Sequence, residues 1–420
     1  MRILLALPSV LFPADTGGKI RSLNIFSRLA QRAEIHAVSF VDAACDPADT
    51  SDMEAIFASY TPVFRNEARK YSASFYSELL TTQFTTWPYF LSKCNVAGFR
   101  RAVEALASRK RFDLVFCDFL HTAAPLRELA TRPKVVFEHN VEFLLRKRKW
   151  KSSTQPFRRL VYGTEWIKTR RIEAEVCRSF DHVITVSEDD RRTLDKEFGV
   201  THASTIPTGV DTDYFHPTES PTHPGRLVFV GSMDWDPNED GVLWFLQDVF
   251  PRILEAAPHA TFSIVGRAPS SRLRAMARNV PGVEITGWVP DVRPYLAGAE
   301  VVVVPLRVGG GTRIKIPEAM AMAKAVVSTP IGAEGLPFQD WREIRIAQQP
   351  EQFARAVVDL LNNAALRDSL ATEARDAVVR DHGWETVVAK VEQILEHVVS
   401  QSSVHDRCLS RVLLDVPKHV

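Results

Sequence analysis

At 420 residues, 45% hydrophobic and 25% charged, the chain has the makeup of a soluble globular protein. It is too long for one ordinary domain, so two or three of about 150 residues each are expected. A formal net charge of +1 carries no electrostatic sign of nucleic-acid binding. The five cysteines are scattered, with no C-x-x-C pair, which argues against a zinc site or a disulfide framework and for a reducing compartment.

The N-terminal "MRILLALPSVLFPADTGGK" resembles a signal peptide only superficially. Pro8 and Pro13 break its apolar run, no A-x-A site follows, and an amphipathic stretch succeeds the glycines. It reads as a buried first strand. No stretch reaches 18 uncharged apolar residues, so no membrane span is expected.

Strands are predicted at 2–7, 35–40, 113–118, 134–139 and 182–187, with helical spacing between them at 20–33 and 96–109. After a Pro- and Gly-rich segment over 206–226 the alternation restarts, with strands at 226–231, 260–266, 283–287, 300–305 and 325–330. Uniformly apolar strands alternating with helices specify parallel sheets covered on both faces. The expectation is therefore two Rossmann-like α/β domains facing a central cleft, with boundaries at 1–207 and 208–384. The final apolar-spaced helix, 385–399, crosses back onto the first domain. No role is assigned to the tail 400–420.

Ligands of such sheets bind beyond the carboxyl ends of the strands. Two glycine loops fall there. "PADTGGK" carries Gly17 and Gly18 after the first strand, and "VGGGTRIK" carries Gly310, Gly311, Thr312, Arg313 and Lys315 after the strand 300–305. A bare backbone at a helix start, followed by two cations, suits a diphosphate. Glu318, further along that helix, suits a ribose diol. His139, at the end of the strand 134–139 between Glu138 and Asn140, is a candidate contact at the cleft edge. The pairs Asp211/Asp213 and Asp234/Asp236 have metal-binding spacing, but they fall in the linker and before a helix and are read as structural, Asp236 as an N-cap. The segment 143–178 is strongly basic with interleaved aromatics, a composition suited to a solvated helix face or an anionic membrane surface. No nucleic-acid recognition motif accompanies it.

"EAMAMAKAVVSTPIGAEGL" (318–336), "IPTGVDTDYFHP" (206–217), "VFVGSMDWDPNEDGVLWF" (228–245) and "GWVPDVRPYLAGAEVVVVP" (287–305) resemble the family 4 glycosyltransferases of the GT-B fold. "FEHNVEFLLRKR" (137–148) resembles the sugar transferases found with exosortase (PEP-CTERM) systems. The resemblance implies transfer of a sugar from a nucleotide donor to a lipid-linked or glycan acceptor, with retention and without a bound metal or other cofactor. The scattered cysteines and the basic segment 143–178 together give the expectation of a cytoplasmic enzyme, peripheral on the inner membrane face. Glu318 matches the second glutamate of the family's E-x7-E motif, but the first falls at Gly310. The Arg and Lys that many members carry after the glycine at Gly231 are absent, leaving Arg313 and Lys315 to supply that charge. Gly17 and Gly18 match the family's N-terminal glycine loop, and His139 the histidine near the reacting sugar carbon. A sugar-nucleotide epimerase and a degenerate binding subunit remain open alternatives.

Overall fold

A computed structural model describes residues 1–42, 45–65, 72–308 and 313–414; of residue 47 and residues 403–414 it describes the backbone only. The expected positions Gly310, Gly311 and Thr312, and residues 415–420 of the tail, lie outside the described residues. The chain divides into one unit of residues 1–206 with 388 onward, and a second of residues 207–387.

The first unit holds a seven-stranded sheet: β1 (Arg2–Leu7), β2 (Glu34–Asp42), β3 (Ser59–Arg65), β4 (Leu114–Asp118), β5 (Lys134–Glu138), β6 (His182–Thr185) and β7 (Ala203–Thr205). Its order is β3-β2-β1-β4-β5-β6-β7, and every pairing is parallel. The second unit adds β8 (Arg226–Val230), β9 (Thr261–Val265), β10 (Val283–Gly287), β11 (Val301–Val304), β12 (Ala325–Ser328) and β13 (Arg345–Ile346) in the order β10-β9-β8-β11-β12-β13, again all parallel. In each sheet the winding reverses once, between β1 and β4 and between β8 and β11. Those reversal points are where such sheets open a crevice.

The strands sequence reasoning missed are β3, β7 and β13. β3 alternates partly exposed residues, and β7 and β13 have only three and two residues, too short for a periodic signal. The basic segment is two helices, Glu142–Ser152 and Pro156–Ser179, split where Pro156 opens the second. Asp236 is the first residue of the helix Asp236–Trp244, not its cap, and Trp235 stands at the cap without a side-chain bond. Asp211 Oδ1 accepts from the amides of Asp213 and Tyr214, an Asx turn.

The last helix, Trp384–Leu414, belongs to the first unit from Val388 onward, where Glu392 accepts from Arg32 at 3.2 Å. Within the second unit, its two chain crossings are pinned together. The Val210 amide donates to the His382 carbonyl at 2.8 Å, and His382 Nδ1 donates to the Thr208 carbonyl at 2.9 Å. Gly209, between them, lies so close to the Trp384 ring that a Cβ there would overlap it. Gly209→Ala is therefore expected to destabilise the second unit by about 1–3 kcal/mol, read as an earlier unfolding transition in urea.

Candidate functional site

In the second unit the site forms where β8 and β11 diverge. β8 runs into Gly231, whose amide donates to the Val265 carbonyl at 2.9 Å. A Cβ on Gly231 would stand 2.6 Å from Lys315 Nζ and 2.8 Å from Asn238 Nδ2. The absent side chain is thus replaced by the ammonium of Lys315. Asn238, buried on the helix Asp236–Trp244, accepts from Lys315 Nζ at 2.8 Å through Oδ1, while its Nδ2 donates to the Ser232 carbonyl at 2.7 Å. The face of Phe229 lies 4.3 Å below the ammonium. The chain thus brings a cation to the strand end from Lys315, distant in sequence.

Lys315 opens the helix Lys315–Ala321, two residues later than the start expected near Arg313, and Glu318 lies one turn along it. Both keep some exposed surface, but protein atoms surround each charged group. Burial pulls the Lys315 ammonium down to about 7 and pushes the Glu318 carboxyl up to about 7, each partly opposed by the other's charge. Near neutral pH both sit at the edge of ionisation, responsive to any charged ligand.

Arg313 differs from its expectation. It is 3% exposed, and its Nη2 donates to the Ile331 carbonyl at 3.0 Å, with Glu334 Oε2 at 3.5 Å. The guanidinium therefore braces the turn after β12.

In the first unit the matching point lies where β1 and β4 diverge. Gly17 and Gly18 open the helix Gly17–Leu29, capped by Thr16. A Cβ on Gly18 would come within 2.8 Å of Phe119 Cζ. Phe119, directly after β4, holds φ 67°, a conformation that side-chain-bearing residues avoid and that marks functional sites more often than chance. Its ring stacks on His139 at 3.6 Å between centroids. His139 is 3% exposed and lies behind that ring; a cavity of about 140 Å³ is walled by Ser9, Thr16, Gly18, Lys19, Asp118 and Phe119 among others.

Asp118, fully buried, ties these parts together. Oδ1 accepts from His139 Nε2 at 2.7 Å and Oδ2 accepts from Ser22 Oγ at 2.6 Å. That bond fixes the tautomer, because a carboxylate can only accept; Nδ1 is left as an acceptor with no partner among the described residues. Burial holds the imidazole below its usual range, with Asp118 opposing. Buried Arg21 on the same helix is drawn down to about 9 by desolvation, against the pull of Asp118 and Asp190.

Sequence reasoning missed Asp118, Phe119, Ser22 and Asn238. Asp118 ends a predicted strand, so the strand-end rule that selected His139 would have selected it too. Among the described residues, no group of three or more His, Cys, Asp or Glu is placed to hold a metal ion, and no helix is long and apolar enough to cross a membrane.

Two family models match the chain: Glycosyltransferase Family 4 over residues 53–214 and Glycosyl transferases group 1 over residues 224–363. An uncharacterized 44.6 kDa protein in the cps region of Klebsiella pneumoniae is 22% identical over 302 residues, 70% of this chain and 76% of that one. Among solved structures, HepE of Anabaena in complex with UDP aligns with a TM-score of 0.64 at 13% identity, over 94% of this chain and 100% of that one. Sucrose-phosphate synthase of Thermosynechococcus elongatus aligns with a TM-score of 0.67 at 15% identity, over 96% and 100%. WaaG, a glycosyltransferase involved in lipopolysaccharide biosynthesis, gives 0.59 at 14% identity, over 94% and 99%. With one family model after the other matched along its two units, and structural likeness over nearly its whole length, the chain belongs with the family 4-like glycosyltransferases of the GT-B fold.

Proposed function

We propose that the second unit holds a nucleotide-diphosphate sugar, and that the enzyme transfers the sugar to a lipid-linked or polysaccharide acceptor with retention and without a metal. The observation that carries this reading is the Lys315 ammonium, set against Gly231 and Asn238 at the β8/β11 reversal point. When the glycosidic bond to the donor breaks, negative charge gathers on the leaving diphosphate. A cation already fixed at that point stabilises the charge without reorganising. Glu318, on the same helix, takes the ribose hydroxyls. UDP is the first nucleotide to test, because HepE binds it. A surface polysaccharide pathway is supported by the cps-region relative and by WaaG, and the exosortase-type "FEHNVEFLLRKR" points the same way.

In the first unit, His139 is proposed as the contact to the donor sugar that the family resemblance implies, with Asp118 holding the imidazole. Nδ1 then accepts from a sugar hydroxyl once Phe119 shifts aside. The competing reading, a binding subunit that has lost catalysis, is favoured by Gly310 standing where the family has its first glutamate. Slow hydrolysis of UDP-sugars without acceptor would exclude that subunit reading, whereas tight nucleotide binding with no turnover on any donor would support it.

Lys315→Met should weaken UDP binding tenfold to a hundredfold, the loss of about 1.5–3 kcal/mol for a charged hydrogen bond, and leave uridine binding nearly unchanged. Glu318→Gln should weaken uridine and UDP alike. Titration calorimetry on the two variants separates these roles.

Affinity for UDP should peak near neutral pH. The free Lys315 loses its proton as pH rises through about 7, and bound diphosphate raises that value. Binding therefore takes up a proton, and affinity falls on the alkaline side. Glu318, pushed up to about 7, must be ionised to accept from the diol, which gives the acid limb. Calorimetry in buffers of different ionisation enthalpy should detect proton uptake near pH 7.5, and Lys315→Met should abolish it.

His139→Gln should lower kcat at least tenfold while UDP affinity, set in the second unit, changes less than twofold. An equal loss in both would place His139 in the fold alone.

A further inference from the structure

The first unit carries six large apolar side chains in solvent on two neighbouring helices. Tyr76 and Leu80 lie on the helix Ala73–Gln83 and Phe84 directly follows it, at i, i+4 and i+8. Phe157, Leu160 and Ile167 lie on the helix Pro156–Ser179. Their exposures run from 56% for Tyr76 to 87% for Phe84. Single exposed apolar residues need no explanation, but two stripes at helical spacing do.

The helices are joined where the stripes approach. Thr164 Oγ1 donates to Gln83 Oε1 at 2.6 Å, and Lys168 Nζ donates to the carbonyls of Thr82 and Gln83 at 2.6 and 3.1 Å. Phe84 follows Gln83, Ile167 precedes Lys168, and Leu160 sits one turn before Thr164, so the apolar groups flank one seam. Buried Glu165 closes it further, accepting from the Tyr89 amide at 2.8 Å.

The exposed charge on the basic segment beside the seam is of one sign. Residues 143–164 contain no acidic residue. Arg148, Lys149, Lys151, Arg158 and Arg159 are exposed on the two helices of that segment. Exposed Phe and Leu flanked by Lys and Arg make the pattern of a helix lying in a headgroup layer, the apolar groups entering the acyl boundary and the cations meeting phosphates.

We propose that the helices Ala73–Gln83 and Pro156–Ser179, with Phe84 and the basic helix Glu142–Ser152, form a docking surface for an anionic lipid bilayer. This rests on the reading of a lipid-linked acceptor, which such a surface would bring to the first unit. Binding needs both halves, apolar groups for depth and cations for the choice of anionic over neutral lipid.

The test uses the full chain in flotation with vesicles of phosphatidylcholine, with or without phosphatidylglycerol. The native protein should bind only vesicles containing phosphatidylglycerol, and less as salt rises. Arg158→Gln with Arg159→Gln should weaken binding about thirtyfold and flatten its salt dependence. Leu80→Ser with Phe84→Ser should weaken binding at least as much while leaving that dependence in place. UDP calorimetry on each variant reports folding and the donor site independently. If the native protein binds vesicles as described but no nucleotide, the donor reading fails and the surface stands. The proposal is overturned if the native protein ignores phosphatidylglycerol, if it binds both vesicles equally, or if both double variants bind like the parent. It is equally overturned if sedimentation shows a dimer that Leu80→Ser with Phe84→Ser dissociates, which would assign the stripes to a second copy of the chain.

Discussion

A parallel strand cannot turn straight back into its neighbour; it must cross over a face of the sheet before pairing again. Each time the winding changes direction, two crossovers leave on opposite faces and a gap opens between them at the carboxyl ends. Both halves of this enzyme depend on that constraint. It places Gly231 and the segment reaching Lys315 side by side although they are distant in sequence, and it does the same for Gly18, Asp118 and Phe119. The candidate sites occupy gaps that the winding creates.

At both gaps, glycine is needed because something else fills the volume of its side chain. At Gly231 it is an ammonium, and at Gly18 an aromatic ring. A side chain at either place would collide with that group. The cost of these arrangements is visible elsewhere. Phe119 holds a left-handed backbone, Lys315 and Glu318 are desolvated, and His139 keeps a buried ring nitrogen without a partner among the described residues. A ligand that satisfied those groups would draw binding energy from them.

The alternation of apolar strands and helices, the two-part division and the glycine-started helix at Gly17 and Gly18 were legible because they are periodic or local. Lys315, Glu318 and His139 were legible as residues beyond strand ends. The direction of Arg313 was not, since a guanidinium can serve a ligand or a nearby carbonyl, and only the path of residues 329–334 decides for Ile331. Asn238 was invisible for a different reason: it acts through Lys315, 77 positions away, and nothing local marks it. The exposed stripe at Tyr76, Leu80 and Phe84 looks in sequence like any core-facing helix. Burial is a property of what packs against a face, and the sequence of that face does not contain it.

The pinning of residues 208–210 against 382–384 makes the second unit an insert whose entrance and exit share one doorway. The first unit is consequently discontinuous. On the ribosome, its sheet emerges early, yet the helix that completes it comes last, and Arg32 meets Glu392 only after 360 further residues have been made. During that interval the surface awaiting Val388, Val391 and Leu395 is bare. Chains stalled or cut inside the second unit would carry a finished sheet with an open apolar flank, a state suited to chaperone capture.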